Sequence, residues 1–212
     1  MSAMKISYDG IVLRDYQASD IDDEIRWTNT DTAWFYADTP WMTPEPVDPD
    51  ELRRDMTEII AGMTDDAIRW RFEIEADGRH IGFVSSYLLD DHYQPVPWES
   101  TDPDKSAEAN HSIRALGIEI CETDSWGKGI GRKALTAFMD YYRRLGERRF
   151  LLETWSGNTR MLGCAEKLGF AEIKREKAAY TVRGESYDAI LLEKTFDVLP
   201  ESSSPLTEDI EV

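Results

Sequence analysis

Cysteine is nearly absent from this chain. Cys121 and Cys164, in 212 residues, are too few for a disulfide framework and have no metal-ligand spacing. Histidine is as scarce, and His80, His92 and His111 stand apart in the sequence, so no metal is expected. No uninterrupted apolar run approaches the length of a membrane span, and the opening MSAMKISYDG has no signal-peptide pattern. The expectation is a cytoplasmic protein with no membrane partner. Basic residues are also in deficit, 24 against 42 acidic, which leaves a net charge of -18. A field of that sign repels nucleic acid and attracts cations. It keeps any acidic protein soluble and also suits a cationic substrate, and charge alone does not separate the two.

What is present fits one globular domain. Hydrophobic residues make up 41% and charged residues 31%, which is ordinary for a soluble fold long enough to bury a core. Residues 1–196 read as that domain. Residues 197–212 carry five acidic and no basic side chains and read as a disordered tail. IVLRDY (11–16) predicts a first strand, with Ser19 and Asp20 as candidate caps of a helix behind it. Residues 31–50 mix aromatics with four prolines and cannot be regular throughout. Helical spacing returns in DELRRDMTEIIAGM. AIRWRFEIE and HIGFVSSYLL flank an Asp-Gly turn, a hairpin signal. Residues 90–113 form a long polar connection, a length that often carries function. Then come a strand RALGIEI, an amphipathic helix over 132–146, a buried strand RRFLLETW, a short helix from Asn158, and a final antiparallel pair. This order predicts an α/β layer with a partly antiparallel sheet.

The stretch WGKGIGR, from Trp126 to Arg132, interrupts that order between a strand and a helix. Gly127, Gly129 and Gly131 let backbone amides approach a ligand with no Cβ in the way. The first amides of a helix lack partners and sit at the positive end of its dipole. Together these predict a seat for a pyrophosphate, with Lys128 and Arg132 adding charge and Ile130 between the glycines. A tight turn without a ligand is the alternative. Spacing excludes the P-loop and the G-x-G-x-x-G dinucleotide fingerprint, because Arg132 stands where each needs a glycine.

A second constellation lies about thirty residues on: Asn158 and Arg160 open a short helix that ends in Glu166-Lys167-Leu168-Gly169-Phe170. Together these motifs resemble the GNAT family of acetyl-CoA-dependent N-acetyltransferases. That family carries Gln/Arg-x-x-Gly-x-Gly/Ala between a strand and a helix, followed by an asparagine and a helix ending in EKxGF. Trp126 in place of Gln/Arg, and Ala165 where many members have tyrosine, point to the branch of ribosomal-protein N-terminal acetyltransferases. The resemblance implies a mixed, largely antiparallel central sheet flanked by helices, acetyl-CoA as co-substrate, no metal, and a possible homodimer.

The resemblance also implies roles. Backbone at Ile118 and Ile120 meets the pantetheine arm near the thioester, the amides of Gly127 to Arg132 take the pyrophosphate, and Asn158 meets the pantetheine end. The attacking amine must be neutral, yet an alkylammonium has a pKa of about 10, so a base is needed. Glu119 is the candidate: flanked by Ile118 and Ile120, it faces the other side of the strand. A purely solvent-facing or ion-paired glutamate is the alternative, with Glu153 in reserve and Glu122 behind it. Trp34, Phe35, Tyr36 and Trp41 lie where relatives shape the acceptor pocket, and they also suit core or lid packing. Asp91, with Asp90 and His92, opens the long connection, either to bind a cationic group or as a solvated edge. The expected acceptor is a protein N-terminus or a small cationic amine. A non-catalytic acyl-CoA sensor and transfer of a longer acyl chain are the competing readings.

Overall fold

The structure is a computed structural model that describes residues 4–197; the acidic stretch beyond Asp197 lies outside the described residues. Eight strands form one sheet. β1 (Lys5–Tyr8) and β2 (Ile11–Arg14) open it, and β3 (Arg71–Ala76) and β4 (Arg79–Leu89) form the expected hairpin. Its turn residues Asp77 and Gly78 both have positive φ, 52° and 72°, as a two-residue hairpin loop requires. β5 (Ile113–Ile120), β6 (Arg149–Trp155), β7 (Ala171–Val182) and β8 (Glu185–Thr195) follow. The order across the sheet is β1-β2-β3-β4-β5-β6-β8-β7, antiparallel throughout except between β5 and β6.

The helices are α1 (Ile21–Asn29), α2 (Ala33–Asp38), α3 (Pro49–Gly62), α4 (Ile130–Arg144) and α5 (Thr159–Leu168). Asp48 caps α3 by accepting from the amides of Asp50 and Glu51 at 2.8 and 3.0 Å, with Pro49 in the first turn. α4 lays Ala134, Leu135, Phe138, Met139 and Tyr142, each at most 2% exposed, on one face of the sheet. There Phe138 meets Phe72 edge-on at 5.9 Å. The other face takes α1, through Arg71–Glu24 at 3.2 Å and His80–Asp23 at 3.1 Å, and α2, where Trp34 meets Phe83.

The sequence reading missed β1, which is short and only half apolar, and α2, hidden inside the proline-bearing stretch. α4 begins at Ile130, two residues before the expected start, because Gly129 supplies the left-handed cap at φ 78°. The long connection is tied down internally. Asp90 accepts from the amides of His92 and Gln94, Asn110 holds Asp102 at both its amide and its carbonyl, and Leu89 bridges Pro95.

Candidate active site

The one parallel junction is short. β5 and β6 pair only at Arg114–Phe150 and Ala115–Leu151, then diverge toward their C-terminal ends. Arg114, fully buried at that vertex, binds Glu147 at 2.8 Å and lies over the Tyr142 ring at 4.0 Å. The divergence opens a cleft of about 790 Å³. Leu116 to Ile120 line it from β5, Glu153 from β6, and Asn158, Arg160, Met161, Cys164 and Lys167 from α5 and its cap.

One end of the cleft is the glycine turn. Gly127 and Gly129 hold φ of 75° and 78°, and a Cβ on either would project into open space. Among the described residues, no backbone carbonyl accepts from the amides of Gly127 to Arg132. That donor set, open at the start of a fifteen-residue helix, fits an anionic phosphate group. A Cβ at Gly131 would come within 3.6 to 3.9 Å of Ile118, Ile120 and Cys164, so the cleft is narrow there and suits a slender chain. The Trp126 indole donates to the Ile120 carbonyl at 2.7 Å, and the Arg160 guanidinium stacks on its ring at 3.9 Å. With Arg132 and Lys167, Arg160 makes this rim cationic in a strongly acidic protein.

The opposite wall is acidic. Glu119 pairs with Phe83 across β4 and so shares the α2 face, while Ile118 and Ile120 turn toward α4. Its Oε2 is enclosed and, among the described residues, has no hydrogen-bond partner. Burial, reinforced by Asp38 and then offset by Arg71, pushes its carboxyl up to about 8. Burial also raises the pKa of Asp38, the last residue of α2. Glu153 accepts from the Tyr87 hydroxyl at 2.5 Å. Burial and that carboxylate hold the Tyr87 phenol well above its usual range. Gly82 makes this arrangement possible: at φ 151°, a Cβ there would lie 2.0 Å from the carbonyl oxygen of Glu119.

Most of the residues singled out from the sequence meet here: Trp34, Ile118, Glu119, Ile120, Trp126, Gly127, Gly129, Gly131, Arg132, Glu153 and Asn158 all line the cleft. Lys128, Ile130, Tyr36 and Asp91 do not. Ile130 is buried in the core, Tyr36 is 47% exposed, and Asp91 sits on the surface of the long connection. Glu122 is engaged elsewhere, by Arg26 at 2.5 Å and by the Trp27 indole at 3.0 Å. The Ile120 carbonyl is already bonded to Trp126, and the Asn158 side-chain oxygen caps α5 through the Met161 amide at 3.1 Å. Sequence reasoning missed Asp38, Tyr87 and Lys167. Asp38 closes the aromatic run AWFYAD, and an acid ending an otherwise aromatic segment was the available signal. Tyr87 had none.

The acetyltransferase (GNAT) domain model matches residues 11–171. Among solved structures, the chain resembles the ribosomal L7/L12 alpha-N-protein acetyltransferase RimL in complex with coenzyme A. The two are 19% identical, with a TM-score of 0.64 over 92% of this chain and 99% of that one. It also resembles yncA, a putative acetyltransferase from Salmonella typhimurium with acetyl-CoA, at 19% identity and TM-score 0.59 over 93% and 98%. The microcin C7 self immunity acetyltransferase MccE, in complex with acetyl-CoA and AMP, is 17% identical, with TM-score 0.60 over 89% and 93%. At such identities these likenesses establish the fold. No curated protein sequence matches significantly.

Proposed function

The chain belongs to the GNAT acetyltransferase family, and from that premise we propose that it transfers the acetyl group of acetyl-CoA to a primary amine, both bound at once in the cleft. The observation that carries this reading is the pairing of an open amide cradle with a carboxyl whose inner oxygen is enclosed and, among the described residues, partnerless, on opposite walls of one cleft. The amides of Gly127 to Arg132 would hold the pyrophosphate, with Arg132, Arg160 and Lys167 adding charge. The free edge of β5 around Ile118 would pair with the pantetheine arm. Bound acetyl-CoA supplies the electrophilic thioester carbon.

The rest of the chemistry falls on the protein. An acceptor arrives as an ammonium, drawn by Asp38, Glu119 and Glu153. Glu119, ionised, takes its proton and leaves the neutral nucleophile. A carboxyl poised at about 8 is basic enough for this and still partly ionised near neutrality, which an ordinary glutamate of about 4.3 is too weak to match. Trp34, held by its indole on the Trp27 carbonyl at 3.0 Å, walls the approach. Ala165 is buried, and the raised phenol of Tyr87 stays on Glu153, so the reading assigns no general acid.

Two acceptor classes fit: a protein N-terminus, the substrate type named for the similar RimL, and a small cationic amine, which the acidic wall favours. Release of free thiol from acetyl-CoA across polyamines, aminoglycosides, amino acids and short peptides tests the reaction. Coenzyme A binding by calorimetry, with no turnover of any amine, would leave a sensor on the same fold instead.

A further inference from the structure

The cleft does not end at Glu119. A second chamber of about 390 Å³ continues from it, with Asp38, Tyr87 and Glu153 as shared walls. That volume lies at the small end of ligand pockets. Trp41, from the loop after α2, lies flat on Tyr180 of β7, with ring centroids 3.6 Å apart and planes 6° apart. It also meets Trp155 edge-on at 5.8 Å. Aromatic faces of this kind attract cations.

Carboxylates line it: Asp38 and Glu153 where it meets the cleft, and the exposed Glu176 of β7. Among the described residues the Glu176 carboxylate makes no ion pair or hydrogen bond, whereas the chamber's one ammonium, Lys174, rests over Tyr93 at 6.0 Å. Three acids against one base leave the lining at a formal charge of -2. Trp155, on the same face of β6 as Glu153, lines it too, its indole N–H buried and without a partner among the described residues. The chamber is therefore aromatic and acidic.

We infer that this chamber holds the distal ammonium of a linear diamine or polyamine, so the preferred acceptor carries a second positive charge beyond the amine that reacts at Glu119. The inference rests on the acetyl-transfer reading, which fixes the reacting end. An uncharged peptide following a terminal ammonium would bring no cation to Glu176 or to the Trp41–Tyr180 wall.

The test compares kcat/KM, by thiol release, for putrescine and spermidine with n-butylamine and a neutral tripeptide. Putrescine and spermidine should each exceed n-butylamine by about tenfold or more. Glu176→Gln should narrow that gap by about threefold without altering coenzyme A affinity, and added salt should narrow it too. Equal efficiency for putrescine and n-butylamine, a tripeptide better than spermidine, or an unchanged preference in folded Glu176→Gln would each overturn the inference while leaving acetyl transfer standing. Calorimetry of spermidine into protein saturated with coenzyme A separates the two readings. Binding weakened by Glu176→Gln, with no thiol released from acetyl-CoA by any amine, would uphold the chamber and remove the transferase.

Discussion

Glu119→Gln should make the protein less active and, at alkaline pH, more stable. The carboxyl moves from an ordinary 4.5 in the unfolded chain to about 8 in the folded one. A carboxyl raised in this way stays protonated on folding, so the native state binds the extra proton and loses stability as pH rises between those values. The full shift corresponds to roughly 5 kcal/mol, present above the folded value and absent below the unfolded one. That is as large as the whole stability of a marginal domain, about 5–15 kcal/mol. Glutamine ionises at neither end and escapes the loss. Urea denaturation of both proteins should give similar stabilities at about pH 4.5 and a widening advantage for the variant up to about pH 9. In parallel, kcat/KM of the wild type should rise through about pH 8 and fall as the acceptor ammonium itself deprotonates at about 10. The variant should lose about 10²–10⁴-fold in rate, together with the acidic limb of the bell. A stability difference independent of pH, or a variant that keeps the limb, would refute the assignment of Glu119 as a buried base.

Three further outcomes follow from the same geometry. Gly129→Glu places bulk and negative charge at the cradle and should weaken coenzyme A binding at least about tenfold by calorimetry; unchanged affinity in a folded variant would remove the cradle. Its left-handed φ should also cost about 1 kcal/mol in thermal unfolding. Gly82→Ala drives a Cβ to 2.0 Å from the Glu119 carbonyl and should cost about 3 kcal/mol or more, with activity falling in whatever protein remains folded. Glu147→Ala leaves the Arg114 guanidinium buried and unpaired, at a cost of about 3–5 kcal/mol. Adding Arg114→Met should recover most of it, and a double-mutant cycle in urea measures the coupling.

How much of this was legible in the sequence depends on the range of the interaction. The hairpin at Asp77-Gly78, the turn into α4 and the start of α5 at Asn158 are set within a few residues, and the pattern of side chains reported them, though not that the Asn158 side chain caps its helix. The opposed faces of Ile118, Glu119 and Ile120 followed from strand alternation alone. What escaped was set across the fold. Tyr87 reaches Glu153 over 66 positions in sequence, and Trp41 finds Tyr180 only because β7 folds back beside β8. Asp38 belongs to the site because α2 ends over β5. Asp91 and Tyr36 looked equally promising by type, yet the chain turns both outward.

The short register between β5 and β6 has a last consequence. Past Ala115 and Leu151, each strand keeps its outer neighbour, β4 or β8, and presents a bare edge to the other. Bare edges usually lie at the rim of a sheet, where they recruit foreign strands and seed aggregation. Here the edges are interior, only four or five residues long, with α4 on one side and α2 on the other. A whole strand cannot wedge in, but a single thin chain can lie along them and pair as an added strand would. The fold thus turns a hazard into a rail on which a guest chain would complete the sheet.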